Sequence, residues 1–148
     1  MGPFQNFTIK AQEALKHTHE IALERQQHQI DVLHLLAALV SQEDGIVSVV
    51  FEKLEVPRGN IYKKTIEMID TMPKAFSHSA VGQLYLTQDL GRVIEESARQ
   101  AHLMKDEFIS TEHLFLGILE APSKAGSILK TCKINREDVL KILADVRG

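Results

Sequence analysis

Glu112 and His113 stand side by side in FISTEHLFLGIL, Phe108 to Leu119, directly ahead of an apolar run. A carboxylate beside an imidazole is raw material for general acid–base catalysis or for metal ligation. His17, His19, His28 and His102 invite a zinc reading as well. The spacing does not support it. HTHEIALE is not an HExxH helix, and His17 and His19, two apart, do not share a helix face. Cys132 is the single cysteine, so no cysteine pair completes a zinc site and no internal disulfide framework exists. No nucleophile stands with a base and an orienting group, and no glycine-rich loop ends in Gly-Lys-Ser/Thr. The expectation is a binding chain with no catalytic residue, no metal ligand and no cofactor of its own. A small metal-dependent hydrolase using the His/Glu set is the enzymatic alternative.

The same histidine occurs twice. His34 lies in IDVLHLLAALV, Ile30 to Val40, 79 positions before His113, and a leucine follows each. Asp31 and Ser110 are good N-cap residues for the apolar helices that follow. They put His34 and His113 at the third helical position, where a neutral imidazole can satisfy a free amide and a charged one would oppose the helix dipole. Asp31, His34, Ser110 and His113 therefore read as a polar clamp at a repeated helix start. Glu112 differs, because its counterpart is Leu33. In the first turn a carboxylate gains roughly 0.3–1 kcal/mol from the helix dipole. The other reading is a surface acid that receives a basic group.

These residues are carried by a repeat. Phe7 matches Leu86, Thr8 matches Thr87, Ala22 matches Ala101 and Asp31 matches Ser110 at one offset. Val56 and Ile134 match at an offset one shorter. Unit one spans 7–70, a connector 71–85 and unit two 86–147, all within one domain, 1–148. Phe7, Ala11, Leu15, Thr18 and Ala22 keep a helical period, as do Leu86, Leu90, Ile94, Ser97 and Ala101. Thr8 and Thr87 stand at the N-caps of these first helices. Third helices are expected over Ile46–Leu54 and Lys124–Cys132, and fourth helices over Arg58–Thr71 and Arg136–Val146. Strand alternation is nowhere strong. The predicted class is all-α: eight helices in two four-helix units, related by a pseudo-twofold in which each half covers the other's apolar face. In the connector, Pro73 and Gly82 break the pattern, while Phe76 and Tyr85 are expected to pack on the body.

The chain has 148 residues, 44% of them hydrophobic and 25% charged, with a net charge of -3, a soluble globular mixture. That balance argues against a nucleic-acid partner. No stretch approaches a membrane-spanning length, and MGPFQNFTIK is not a secretory leader. A cytoplasmic protein without a membrane partner is expected, either small and whole or an excised domain.

The paired patterns FTIKAQEAL…IDVLHLLAALV and LTQDLGRVI…FISTEHLFLGIL resemble the N-terminal domain of Clp-type AAA+ unfoldases, over about Phe4 to Val146. IDVLHLLAAL is more similar to the ClpB disaggregase branch, and STEH is shared with the ClpC branch. The resemblance implies a stress-response chaperone module that recruits substrates and adaptor proteins to ATPase rings. Those rings, with their ATP and magnesium, belong to a longer, homohexameric parent, and the isolated domain is expected to be a monomer. It implies binding of exposed apolar segments of unfolded or aggregated protein, with Thr8, Asp106 and Glu112 as substrate-binding positions. In the ClpC branch, which serves a protease, a glutamate before each histidine helps hold phosphoarginine. Glu112 matches that position, but Leu33 departs from it.

Overall fold

The computed structural model describes residues 6–74 and 84–147. Residues 75–83, which include Phe76 and Gly82 of the expected connector, lie outside the described residues.

Eight helices are present among the described residues: α1 Ile9–Glu24, α2 Val32–Ser41, α3 Ile46–Leu54, α4 Arg58–Ile69, α5 Gln88–Leu103, α6 Thr111–Glu120, α7 Lys124–Thr131 and α8 Arg136–Arg147. The first helix of each half starts on a threonine cap. Thr8 Oγ1 accepts from Ala11 N–H and Thr87 Oγ1 from Leu90 N–H, each at 3.2 Å. One face of each is buried, and it carries a hydroxyl at matching positions. Thr18 donates to the Ala14 carbonyl and Ser97 to the Val93 carbonyl, both at 2.7 Å. The hydroxyls are satisfied inside their own helices, so small residues can face the core at little polar cost.

The central helices α2 and α6 are buried almost all round, as helices apolar on every side must be. Phe51 of α3 meets Phe115 of α6 edge to face, with ring centroids 5.5 Å apart. That contact joins the halves, and the buried side chains of both belong to one core.

Short extended segments exchange between the halves. Gln29–Ile30 (β1) pairs in parallel with Tyr85–Leu86 (β2), and Phe7 bridges Ile109 in the same sense. Thr87 N–H donates to the Ile30 carbonyl at 3.0 Å, and Thr8 N–H to the Ile109 carbonyl at 2.9 Å. The segment before each half's first helix is thus tied to the segment before the other half's second helix. Two-residue strands are too short to show alternation, which is why the sequence carries no strand signal for them. Helix bounds differ from expectation only at the ends: α4 stops at Ile69, α7 at Thr131, and α8 runs on to Arg147.

Turns repeat as well. Gln26 and Lys105, after α1 and α5, have φ of 56° and 59°. Glu55 and Lys133, after α3 and α7, have φ of 59° and 63°. Left-handed residues at helix C-termini are usually glycine. Here ordinary residues take the conformation at the same place in both halves, so the composition gives no cue.

Gly117 lets α6 approach α5. An added Cβ would lie 2.5 Å from Ser97 Oγ and 2.8 Å from the Val93 carbonyl oxygen. Gly117→Ala is expected to destabilise by about 1–3 kcal/mol, the usual range for overpacking, as measured by urea unfolding; an unchanged midpoint would show that the helices part freely. A chain cut after Met72 would lose Phe115 and the α6 side of the core. It is expected to show no sharp thermal transition. A cooperative melt near that of the full chain would mean that the first half owns a complete core.

Candidate functional site

The start of α2 is a closed polar unit. Asp31 Oδ2 accepts from Leu33 N–H at 3.2 Å, and its Oδ1 accepts from the Thr87 hydroxyl at 2.8 Å. Asp31 N–H donates to His34 Nδ1 at 2.9 Å. With Nδ1 an acceptor, the ring's proton sits on Nε2, 2.7 Å from Gln27 Oε1. Gln27 Nε2 then donates to the Ile69 carbonyl at the end of α4, also at 2.7 Å. The loop after α1 aims Gln27 through its left-handed residue Gln26 and a bond from Gln27 N–H to the Ala22 carbonyl. His34 and Gln27 are buried. Burial pushes the His34 pKa below its ordinary value; the Asp31 charge opposes this and the Arg25 charge adds to it.

The start of α6 is the same unit with different chemistry. Ser110 N–H donates to His113 Nδ1 at 2.9 Å, and His113 Nε2 donates to Asp106 Oδ2 at 2.7 Å. The loop bond from Asp106 N–H to the Ala101 carbonyl, after left-handed Lys105, puts Asp106 where Gln27 stands in the first half. The end of α8 then contributes a side chain rather than a carbonyl. Arg147 Nη2 donates to Asp106 Oδ2 at 2.6 Å, and Arg147 Nε to Glu112 Oε2 at 2.7 Å. This guanidinium is the main reason the Asp106 carboxyl lies below the usual carboxylate range; burial opposes the shift and the His113 N–H adds to it. The Arg147 pKa is raised in return, chiefly by its bond to Asp106.

Asp106, Glu112 and His113 are therefore brought together, and Arg147 completes them. Glu112, second in α6, is only 8% exposed. It is not a free surface acid, because its basic group comes from within the chain. Glu112 and Arg147 lie 35 residues apart, so no local motif announces the pairing. The matched positions of Gln27 and Asp106 were the signal for the histidines' partners, and the expectation for the helix starts did not use it. Thr8 joins the same region through its bond to Ile109, one residue before the α6 cap. Beside it, Ile9 is 76% and Phe108 47% exposed. At the matching junction Tyr85, expected to pack on the body, is instead exposed, because it is held through its backbone pairing with Gln29; with Leu86 it flanks a groove of about 610 Å³ with Leu33, Met72 and Lys124. His19 and His102 are exposed. Among the described residues no three histidine, cysteine or carboxylate side chains converge in a way that could hold a metal ion.

The sequence family described as the Clp repeat (R) N-terminal domain matches residues 6–132. The chaperone protein ClpB of Clostridium perfringens is 31% identical over 144 residues, 95% of this chain; the chain spans 17% of that relative's length. The Hsp104 N-terminal domain from Candida albicans superposes with a TM-score of 0.82 at 17% identity, covering 97% of this chain and 93% of that one. A ClpV N-domain in complex with a VipB peptide has a TM-score of 0.73 at 19% identity, covering 96% and 89%. Both structural likenesses show the fold.

His34 makes stability depend on pH in a known direction. The folded chain resists protonating this ring, while the unfolded chain takes up the proton near pH 6.5. Its contribution is present above that pH and lost as pH falls. The melting temperature is expected to drop from pH 6.5 toward 5, and His34→Gln, less stable throughout, should flatten that part of the profile. Parallel profiles for the two chains would show that His34 titrates like an exposed histidine.

Proposed function

The chain belongs to the Clp repeat N-terminal domain family, and on that premise we propose that it recruits clients for an ATP-dependent unfoldase of the ClpB disaggregase kind. It binds exposed apolar segments of unfolded or aggregated protein, or of an adaptor, and hands them on. The isolated domain works as a monomer. ATP and magnesium act in AAA+ domains of the hexameric parent, in the cytoplasm.

The supporting observation is the surface at the start of α1 and α6. Ile9 and Phe108 are exposed next to Thr8, on a backbone pinned by the Phe7–Ile109 bridge. A shallow apolar surface on a rigid base with a polar edge suits many clients held weakly, whereas a deep pocket would select among them. A ClpV N-domain of this fold is found in complex with a peptide, which supports a peptide-binding use of the architecture. Two features favour the disaggregase branch over a two-site phosphoarginine reader. Leu33 replaces the first acid, and Arg147 already occupies the second.

Titration of the domain with a permanently unfolded, reduced and alkylated protein, without nucleotide, is expected to show weak saturable binding. Ile9→Ser combined with Phe108→Ser should weaken it about tenfold, equivalent to ~1.4 kcal/mol, with an unchanged melting temperature. Equal affinity in the two chains would place the client surface elsewhere, and no association at all would remove the recruiting role.

A further inference from the structure

Charge is distributed unevenly over helices that the repeat makes equivalent. α4 and α7 come from different halves and pack against each other, and their repeat mates α8 and α3 meet likewise. Together α4 and α7 carry five cations and one acid, whereas α3 and α8 carry four of each. Lys133, just past α7, adds a further cation. We propose that the lysines of the α4–α7 face, Lys63, Lys64, Lys124, Lys130 and Lys133, form a docking stripe for a glutamate- and aspartate-rich segment of a partner protein. The inference goes beyond the client-recruiting reading: it stands on other residues and names the chemistry of a second partner.

The two helices run antiparallel. Lys64 Nζ lies 3.8 Å from Sγ of Cys132, the C-cap of α7, while Lys124 at the start of α7 lines the same groove as Thr71 and Met72, which follow α4. Lys63 and Lys64 therefore stand beside Lys130 and Lys133 at one end of the stripe, and Lys124 marks the other end, roughly two helical turns or ~12 Å away. All five lysines are exposed. Among the described residues none of them forms an ion pair. Glu67 is the one acid in either helix.

Folding does not ask for these lysines. Cations near a helix C-terminus gain from its dipole, and Lys130 and Lys133 stand at the end of α7. The end of α3 is the same turn in the first half, and there the matched residues are Glu52 and Glu55, with Glu55 in the left-handed conformation that Lys133 takes. Lys64 matches Ile142 and Lys124 matches Ile46; only Lys63 has a matching lysine, Lys141. One backbone thus carries acids or apolar residues where the other carries lysine, and it folds with either. Unpaired ammonium groups gathered on one face repel one another, most strongly at low salt, and an acidic partner relieves that repulsion. A stripe of ~12 Å suits about four residues of extended chain at ~3.3 Å each. The face favours protein over nucleic acid. None of the five cations is arginine, whose fork fits phosphate, and the net charge of -3 on the whole chain opposes a long polyanion that runs beyond the stripe. Phe108 and α7 lie at opposite ends of α6, a helix of 10 residues and about 15 Å, so an acidic segment and an apolar client can be held together.

Titration of the 148-residue chain at low salt with a short glutamate-rich peptide tests the stripe. Weak saturable binding is expected, fading as salt is raised, with none for the glutamine counterpart of the peptide. Lys130→Glu with Lys133→Glu installs the first half's residues at both positions. This variant should bind the acidic peptide about tenfold more weakly, while its melting temperature and its binding of unfolded, alkylated protein stay unchanged. Equal affinity in the two chains, or a glutamine peptide bound as tightly as the glutamate one, would overturn the proposal. So would oligothymidine or a phosphatidylserine vesicle that binds more tightly than the peptide and is lost in the same variant, because the face would then serve nucleic acid or lipid. Binding of the acidic peptide by a chain that ignores unfolded protein would sink the client reading and leave the stripe standing. A measurement on the wild type covers the case in which the variant does not fold. Backbone amide resonances that move on adding the acidic peptide should centre on Lys64 and residues 130–133, and shifts confined to other surfaces would overturn the proposal.

Discussion

Each central helix begins with a backbone amide donating to Nδ1 of a histidine three residues on, Asp31 to His34 and Ser110 to His113. That single bond determines much of what surrounds it. It satisfies a donor with no partner inside the helix, and it leaves the ring proton on Nε2, pointing away from the helix start. Nε2–H then needs an acceptor in a buried place, and the loop after the preceding helix supplies one: Gln27 in one half, Asp106 in the other. The acceptor in turn reaches the end of the fourth helix. A local capping need is thereby converted into a connection among three elements of one half. Glutamate at this position of a capping box would reach back to the cap amide but offer no donor to pass the connection on. An imidazole has both.

The connection between halves is of another kind. Phe7 pairs with Ile109 and Leu86 with Ile30, so each half lends the other a short extended segment just before a helix cap. Asp31 joins both kinds of link, capping α2 with one oxygen and taking the Thr87 hydroxyl with the other. The crossed segments fix where α1 and α5 begin, and the Phe51–Phe115 contact closes the interior between the halves. Neither half presents a finished apolar face without its partner. This is why a twofold repeat of four helices forms one body around one core.

Much of this was legible in the sequence because it is periodic. The paired offset of His34 and His113, the threonine caps and the helical spacing of Ala11, Ala14 and Thr18 each report a local rule that survives folding. The crossed strands were not legible, since two residues carry no alternation. The left-handed turns at Gln26, Glu55, Lys105 and Lys133 were not either, because no glycine marks them. Arg147 was the largest omission. Its partners lie 35 and 41 residues away, and the helical pattern of α8 ranks an arginine there only as a favourable charge near a helix C-terminus. Exposure was equally hidden, as Ile9 and Ile21 fit the same helix and only packing separates them.

A repeat whose halves must close on each other constrains equivalent positions toward equivalent chemistry. Departures are therefore informative, since folding alone would tolerate the same solution twice. The first half shows that a neutral amide and a leucine suffice at Gln27 and Leu33 to build the helix start. The second half spends two carboxylates and an arginine on the same task. A partly buried ion pair of this sort gives little net stability over an apolar or neutral replacement, because desolvation offsets most of the attraction. Stability is thus a weak reason for Asp106, Glu112 and Arg147. What the ionic version adds is charge on the side of exposed Ile9 and Phe108, while the first half's version is neutral. The fold's symmetry supplies the frame, and the symmetry is broken at these three residues, where an ionic unit stands in place of a neutral one.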